Sequence, residues 1–190
     1  WVSSEEEMGS NRTHISRLGR LVLALVGMWL TFVSVSVHAG VAPLAVDPVQ
    51  KRQVLDGHVE VIFDRTQGLD FEAVEGRSDW TAVGPRPYVK GLDRGVVWFR
   101  MRIRNSSSQP VDRLLQISAG LVDEMTVWVT DESGAVQRFE AGENVALADR
   151  VVENFFPLFP VRLDPGEEVL VHARLVDEGT MNVGISLSDR

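Results

Sequence analysis

The sequence predicts an all-β fold: a jelly-roll-like sandwich of about eight or nine antiparallel strands, preceded by an N-terminal signal helix. Three observations predict it. Short runs rich in β-branched and aromatic residues fill the chain beyond residue 40, and turn residues separate them about every ten positions. After the apolar stretch at residues 21–37, no helical period of useful length occurs. At 190 residues, with 44% hydrophobic and 24% charged content, the chain has room for one sizeable core and little more.

Arg12, Arg17 and Arg20 precede the uncharged run from Leu21 to Val37, which ends in His38-Ala39-Gly40. A basic segment, an apolar segment and a small residue form the export pattern, with cleavage expected after Ala39. The alternative is an uncleaved signal anchor, since the run falls between a signal core and a full span of roughly 20 residues. In both cases the arginines stay on the cytoplasmic side and the remainder is exported to the periplasm. Met8 is the more natural start, because residues 1–7 are acidic where a signal is basic. The expected organisation is therefore an extension with signal or anchor at 1–39, a linker at 40–52 and a sandwich at 53–190.

Within the exported part, His58 to Phe63 alternates polar and apolar residues, and a short segment from Leu69 to Val74 leads on to Asp79 to Val83. Gly84-Pro85-Arg86-Pro87 then breaks the chain. The stretch VVWFRMRIRN, Val96 to Asn105, alternates most clearly. A strand there points Val97, Phe99, Met101 and Ile103 to one side, and Trp98, Arg100, Arg102 and Arg104 to the other. Further strands are expected at Arg113 to Ala119, Glu124 to Thr130, Ala135 to Glu140, Glu168 to Val176 and Met181 to Leu187. The Phe155 to Leu163 segment contains Pro157 and Pro160, which cannot donate to a ladder, so it belongs at a sheet edge or a bulge.

Composition excludes several functions. A net charge of −8 argues against nucleic-acid binding, which needs a basic surface to displace counterions. The absence of cysteine removes disulfides, thiolate metal sites and cysteine nucleophiles. Of the four histidines, His58 and His172 stand alone on separate strands without metal-ligand spacing, and they are expected to be structural. No nucleophile elbow, phosphate loop or dinucleotide motif occurs. The acidic pairs lie at turns, where solvation explains them. The expectation is a non-enzyme without metal or cofactor.

The aromatic residues point to binding. In Glu124-Met125-Thr126-Val127-Trp128-Val129-Thr130, Met125, Val127 and Val129 face inward, so Trp128 repeats the pattern of Trp98 on a polar face. Indole beside arginine and carboxylate offers a stacking platform with planar hydrogen-bonding groups, as a carbohydrate or similar small polar ligand requires. Trp98, Arg100, Arg102, Glu124 and Trp128 form the candidate site. The competing reading has each ring covering a neighbouring strand or lying under a loop.

The order Trp98-Phe99-Arg100-Met101-Arg102-Ile103-Arg104-Asn105, Leu114-Leu115-Gln116-Ile117, Asp123 to Val129, Phe155-Phe156-Pro157-Leu158, Pro165-Gly166-Glu167 and His172-Ala173-Arg174-Leu175 resembles the sandwich-type extracellular sensor domain of the 7TMR-DISM bacterial receptors. The similarity runs from about Gln53 to Ser188, with Gly120 standing where such domains often carry proline. It implies a periplasmic sensor ahead of seven membrane helices and a cytoplasmic cyclase, kinase or phosphatase output. The chain is then a receptor fragment, joined to the inner membrane by a signal anchor or by downstream helices, or a free-standing exported carbohydrate-binding protein. A homodimerising or partner-docking module is the alternative from a different class.

Overall fold

The computed structural model describes residues 40–120 and 122–189. The signal or anchor expected over 1–39 lies outside the described residues. Within them are twelve strands: β1 Leu44–Val46, β2 Arg52–Val54, β3 Val59–Asp64, β4 Thr81–Ala82, β5 Tyr88–Lys90, β6 Val96–Asn105, β7 Val111–Ser118, β8 Glu124–Thr130, β9 Val136–Ala141, β10 Leu158–Leu163, β11 Glu168–Val176 and β12 Met181–Asp189. One short helix, α1 at Phe71–Glu75, and a 3-10 turn at Leu147–Asp149 complete the order.

The strands form two sheets. The larger runs β4-β3-β6-β11-β8-β9, with β1 lying parallel to the end of β6. The smaller runs β10-β7-β12-β2, with β5 also paired to β12. All pairings apart from β1 with β6 are antiparallel. This is the sandwich that alternation implied. The count exceeds the expected eight or nine because β1, β2, β4 and β5 are two or three residues long, too short for a period to register. β1 also lies inside the stretch expected to be a linker.

Alternation builds the core directly. Val97, Phe99, Met101 and Ile103 on β6 are at most 1% exposed, and they meet Leu115, Ile117, Phe159, Val183 and Leu187 from the opposite sheet in one hydrophobic cluster. Each such side chain contributes about 1.5–3 kcal/mol of burial. Met125, Val127 and Val129 of β8 join the same core, as the sequence pattern requires. β10 is an edge strand paired only to β7, which is where its prolines can be tolerated. At the other end of the smaller sheet, β2 closes against β12, matching Gln53 to Leu187 and Arg52 to Ser188.

α1 is the element that the Leu69 to Val74 segment becomes. Asp70 caps it by accepting from the Ala73 amide at 2.8 Å, and Gly76 ends it. Five residues cannot sustain a helix alone in water, so packing holds it. Its fully buried Val74 joins Ile62, Val96 and Trp98 in a second, smaller cluster on the outer face of the larger sheet.

Candidate functional site

Register on the larger sheet brings Trp98, Arg100 and Trp128 together, and leaves Arg102 and Glu124 apart from them. Glu60, Arg100, His172, Trp128 and Arg138 lie in one line across β3, β6, β11, β8 and β9. Trp98 flanks that line opposite Arg174, and its ring stacks on Trp128 at 5.4 Å with an interplanar angle of 21°. The two indoles are therefore neighbours on the outer face.

That face is not open. The segment from Arg65 to Ala82, carrying α1 and β4, lies across it as a cover. Phe71 stacks on Trp128 at 5.0 Å and 9°, while Trp80 lies over the Arg100 guanidinium at 4.6 Å. Trp98, expected to look outward, is 0% exposed. This corrects the open platform: two indoles side by side are a large apolar area, and the sheet hides them under a strap of its own chain. Trp128 is half-buried between Phe71 and Trp98.

The charged candidates are engaged elsewhere. Arg100 donates to Glu60 at 2.8 Å from Nε, with a second contact at 2.7 Å, and Glu60 is itself buried. Arg102 donates to the Val41 carbonyl at 2.7 Å and lies 3.8 Å from Glu168. Glu124 accepts from Arg174 at 3.2 Å, at the far end of β8. Arg102 also borders an open depression of about 500 Å³ with Arg104, Asp131, Glu132 and Glu168, whose mixed charges set no single ligand sign.

Sequence reasoning missed two partners of this face, Phe71 and Trp80. His172, expected to be structural, is fully buried between Arg100 and Trp128. Neither of its ring nitrogens has a hydrogen-bond partner. Burial, and secondly the positive charge of Arg100, push its pKa down to about 4. The one sequence signal for the cover was Asp70 followed by Phe71 and Val74, an N-cap before two apolar residues on one helical face.

A second candidate lies at the loop end of the sandwich. A groove of about 390 Å³ is lined by Val122, Gly142, Leu147, Arg150, Phe155 and Phe156, with Glu143 at its border. Phe155 is 74% exposed and Phe156 49%, the two rings meeting edge to face at 5.2 Å. Arg150 pins the loop that carries them: it donates to the carbonyls of Asn154 and Phe155 at 3.3 and 3.1 Å, and to that of Gly142 at 2.9 Å. Its guanidinium thus leans on backbone rather than on a carboxylate. Backbone bonds from Glu143 to Val122 and from Asn144 to Asp123 tie the groove floor to the start of β8. The sequence marked this region only as a loose stretch after Gly142, because no period runs through it.

Among the described residues, no group of three or more acidic or histidine side chains could hold a metal ion, and no helix is long and apolar enough to cross a membrane.

No curated protein matches the chain. Among solved structures, it is similar to that of TmCBM61 in complex with β-1,4-galactotriose, at 10% sequence identity and a TM-score of 0.34, covering 73% of this chain and 83% of that one. Residues 56–189 match the family model described as 7TMR-DISM extracellular 2. That match takes in every strand from β3 to β12 and spans well over half of the sequence, so the chain belongs to the 7TMR-DISM extracellular 2 family of sensor domains.

Proposed function

We propose that this domain is the ligand-sensing part of a membrane signalling receptor, working in the periplasm, and that it takes a carbohydrate or similar small polar ligand in the loop-end groove. The carrying observation is the pair of exposed phenyl rings, Phe155 and Phe156, fixed beside Arg150 on a loop pinned to Gly142. A sugar ring has an apolar face for the phenyls and hydroxyls for the groove's polar rim. The function is recognition rather than catalysis, and sensing then requires the bound and free domain to favour different receptor states.

Isothermal titration of the full chain against a glycan panel tests this. A binding glycan should lose at least about tenfold in affinity in Phe155→Ala and in Phe156→Ala, given about 1.5–3 kcal/mol for burying a phenyl side chain. No binding by the wild type, or unchanged affinity in folded variants, sinks the reading.

The same exposed rings favour one alternative, a docking patch for a second copy or a periplasmic protein. Light scattering separates the two: a concentration-dependent dimer that Phe155→Asp abolishes belongs to the alternative.

A further inference from the structure

The cover over the larger sheet closes on polar groups that it leaves unmatched. Nε1 of Trp98, Nε1 of Trp80 and both ring nitrogens of His172 are buried without a hydrogen-bond partner. All four belong to the cluster formed where the Arg65 to Ala82 segment meets the sheet. Phe71 approaches the His172 ring edge-on at 5.6 Å, and Trp80 approaches it at 5.7 Å. Shutting the cover therefore strips water from these groups and returns nothing to them, which lowers its local stability.

The attachment of the cover is correspondingly light. At its root, Asp64 accepts from the Thr66 amide and hydroxyl and from the Leu69 amide, at 2.9, 2.6 and 2.9 Å. At its far end, β4 pairs with β3 over two residues, and the Val83 amide donates to Val59 at 2.8 Å. Between Leu69 and β4, side-chain packing by Phe71, Val74 and Trp80 joins it to the sheet, with Leu69 packed at its edge. Rooted at Leu69 and at β4, the stretch from Asp70 to Trp80 can lift from the sheet while both roots stay paired.

We propose that residues 70–80 are the moving part of an acid-released cover: protonation of His172 lifts them and opens a cationic aromatic surface made of Trp98, Arg100, Trp128 and His172 itself.

The charges around the ring favour release once it is protonated. Directly across on β6 stands Arg100, already paired with Glu60 of β3. On β11, Arg174 is paired with Glu124 of β8, and on β9, Arg138 is paired with Glu140. From the cover, Arg77 is paired with Asp79, and Asp70, Glu72 and Glu75 are exposed. No carboxylate meets the ring, so an imidazolium shut beneath the cover sits desolvated beside a guanidinium.

The sign follows from linkage. Under the shut cover the imidazole takes its proton only near pH 4, whereas in the open form, with water back on the ring and Arg100 still across on β6, it takes it closer to the ordinary 6.5. Above 6.5 the ring is neutral in both forms and the cover stays shut. Below that value the open form binds the extra proton, so the open-to-shut ratio rises by up to about tenfold per pH unit until about pH 4, at most roughly 300-fold in all. The root does not titrate in this window. Although partial burial raises the Asp64 pKa, hydrogen bonds from Thr66, Leu69 and Gln67 outweigh it and hold the carboxyl below 3.8.

Hydrogen exchange by mass spectrometry on the full chain, corrected for intrinsic rates, reads the opening. Between about pH 6.5 and about pH 5, peptides covering 70–80 should lose up to roughly 15-fold in protection while those of β7 and β12 keep theirs. His172→Leu should abolish the loss, and His172→Gln serves if the leucine variant does not fold. Iodide and caesium quenching in a Trp1→Phe/Trp29→Phe background reads the surface, with iodide expected to gain access on acidification and caesium not. Equal protection of the cover at both pH values, the same loss in the His172 variants, or simultaneous loss across the whole sandwich each overturns the proposal. So does an NMR titration placing the His172 midpoint near 6.5 while the cover peptides stay protected.

Discussion

At Gly142 the backbone has φ of +118°, and a β-carbon there would lie 2.6 Å from the Asp123 carbonyl oxygen. Only glycine lets the loop approach the start of β8 this closely, and the Gly142 carbonyl in turn receives Arg150. Gly142→Ala is expected to cost about 2–4 kcal/mol, combining a clash against rigid backbone with a disfavoured conformation. Thermal denaturation should show a lowered midpoint, and any ligand of the groove should bind more weakly, because Phe155 and Phe156 lose their footing. An unchanged midpoint would mean that the floor yields. At this scale the sequence was partly legible. Facing alternated correctly through β6 and β8, yet whether an outward indole meets water or more protein depends on a partner remote in sequence, as Trp98, buried in one cluster with Val74 of α1, shows.

Among the elements, β6 is fixed at its end by Asn105, which is fully buried and nearly saturated. Its amide nitrogen donates to the carbonyls of Gln109, Leu163 and Asp164, and its oxygen accepts from the Ser107 amide and hydroxyl. One side chain thereby joins the serine loop to the turn between β10 and β11. Asn105→Ala removes all of these bonds from a buried site and is expected to cost about 2–4 kcal/mol, measured by urea unfolding with the slope unchanged. A loss under about 0.5 kcal/mol, typical of an exposed site, would contradict the assignment. Elements with long, regular alternation, such as β11 at Glu168–Val176, stand where the pattern puts them. α1 left only its Asp70 cap as a signal, and β1 and β5 none, because each is set by what it packs or pairs against, and five or three residues carry too few positions to reveal a period.

For the molecule as a whole, the two-layer architecture was legible because it follows from the sum of many alternating segments, each with one buried face. The groove at the loop end was not, because it is built by Arg150 gripping backbone carbonyls, an arrangement with no linear signature. The pairing of β2 with β12 has a mechanical meaning. Arg52 faces Ser188, the Asp189 amide donates to Lys51, and Arg113 holds Asp189 at 2.7 Å, so the first and last residues of this pair leave the body side by side at one edge. A load applied between residues 51 and 189 peels the ladder bond by bond instead of straining all its bonds together, so optical-tweezer traces pulled from those points should show early, low-force release of β2. Rupture only at high force, in a single event, would show the seam to be loaded along its length.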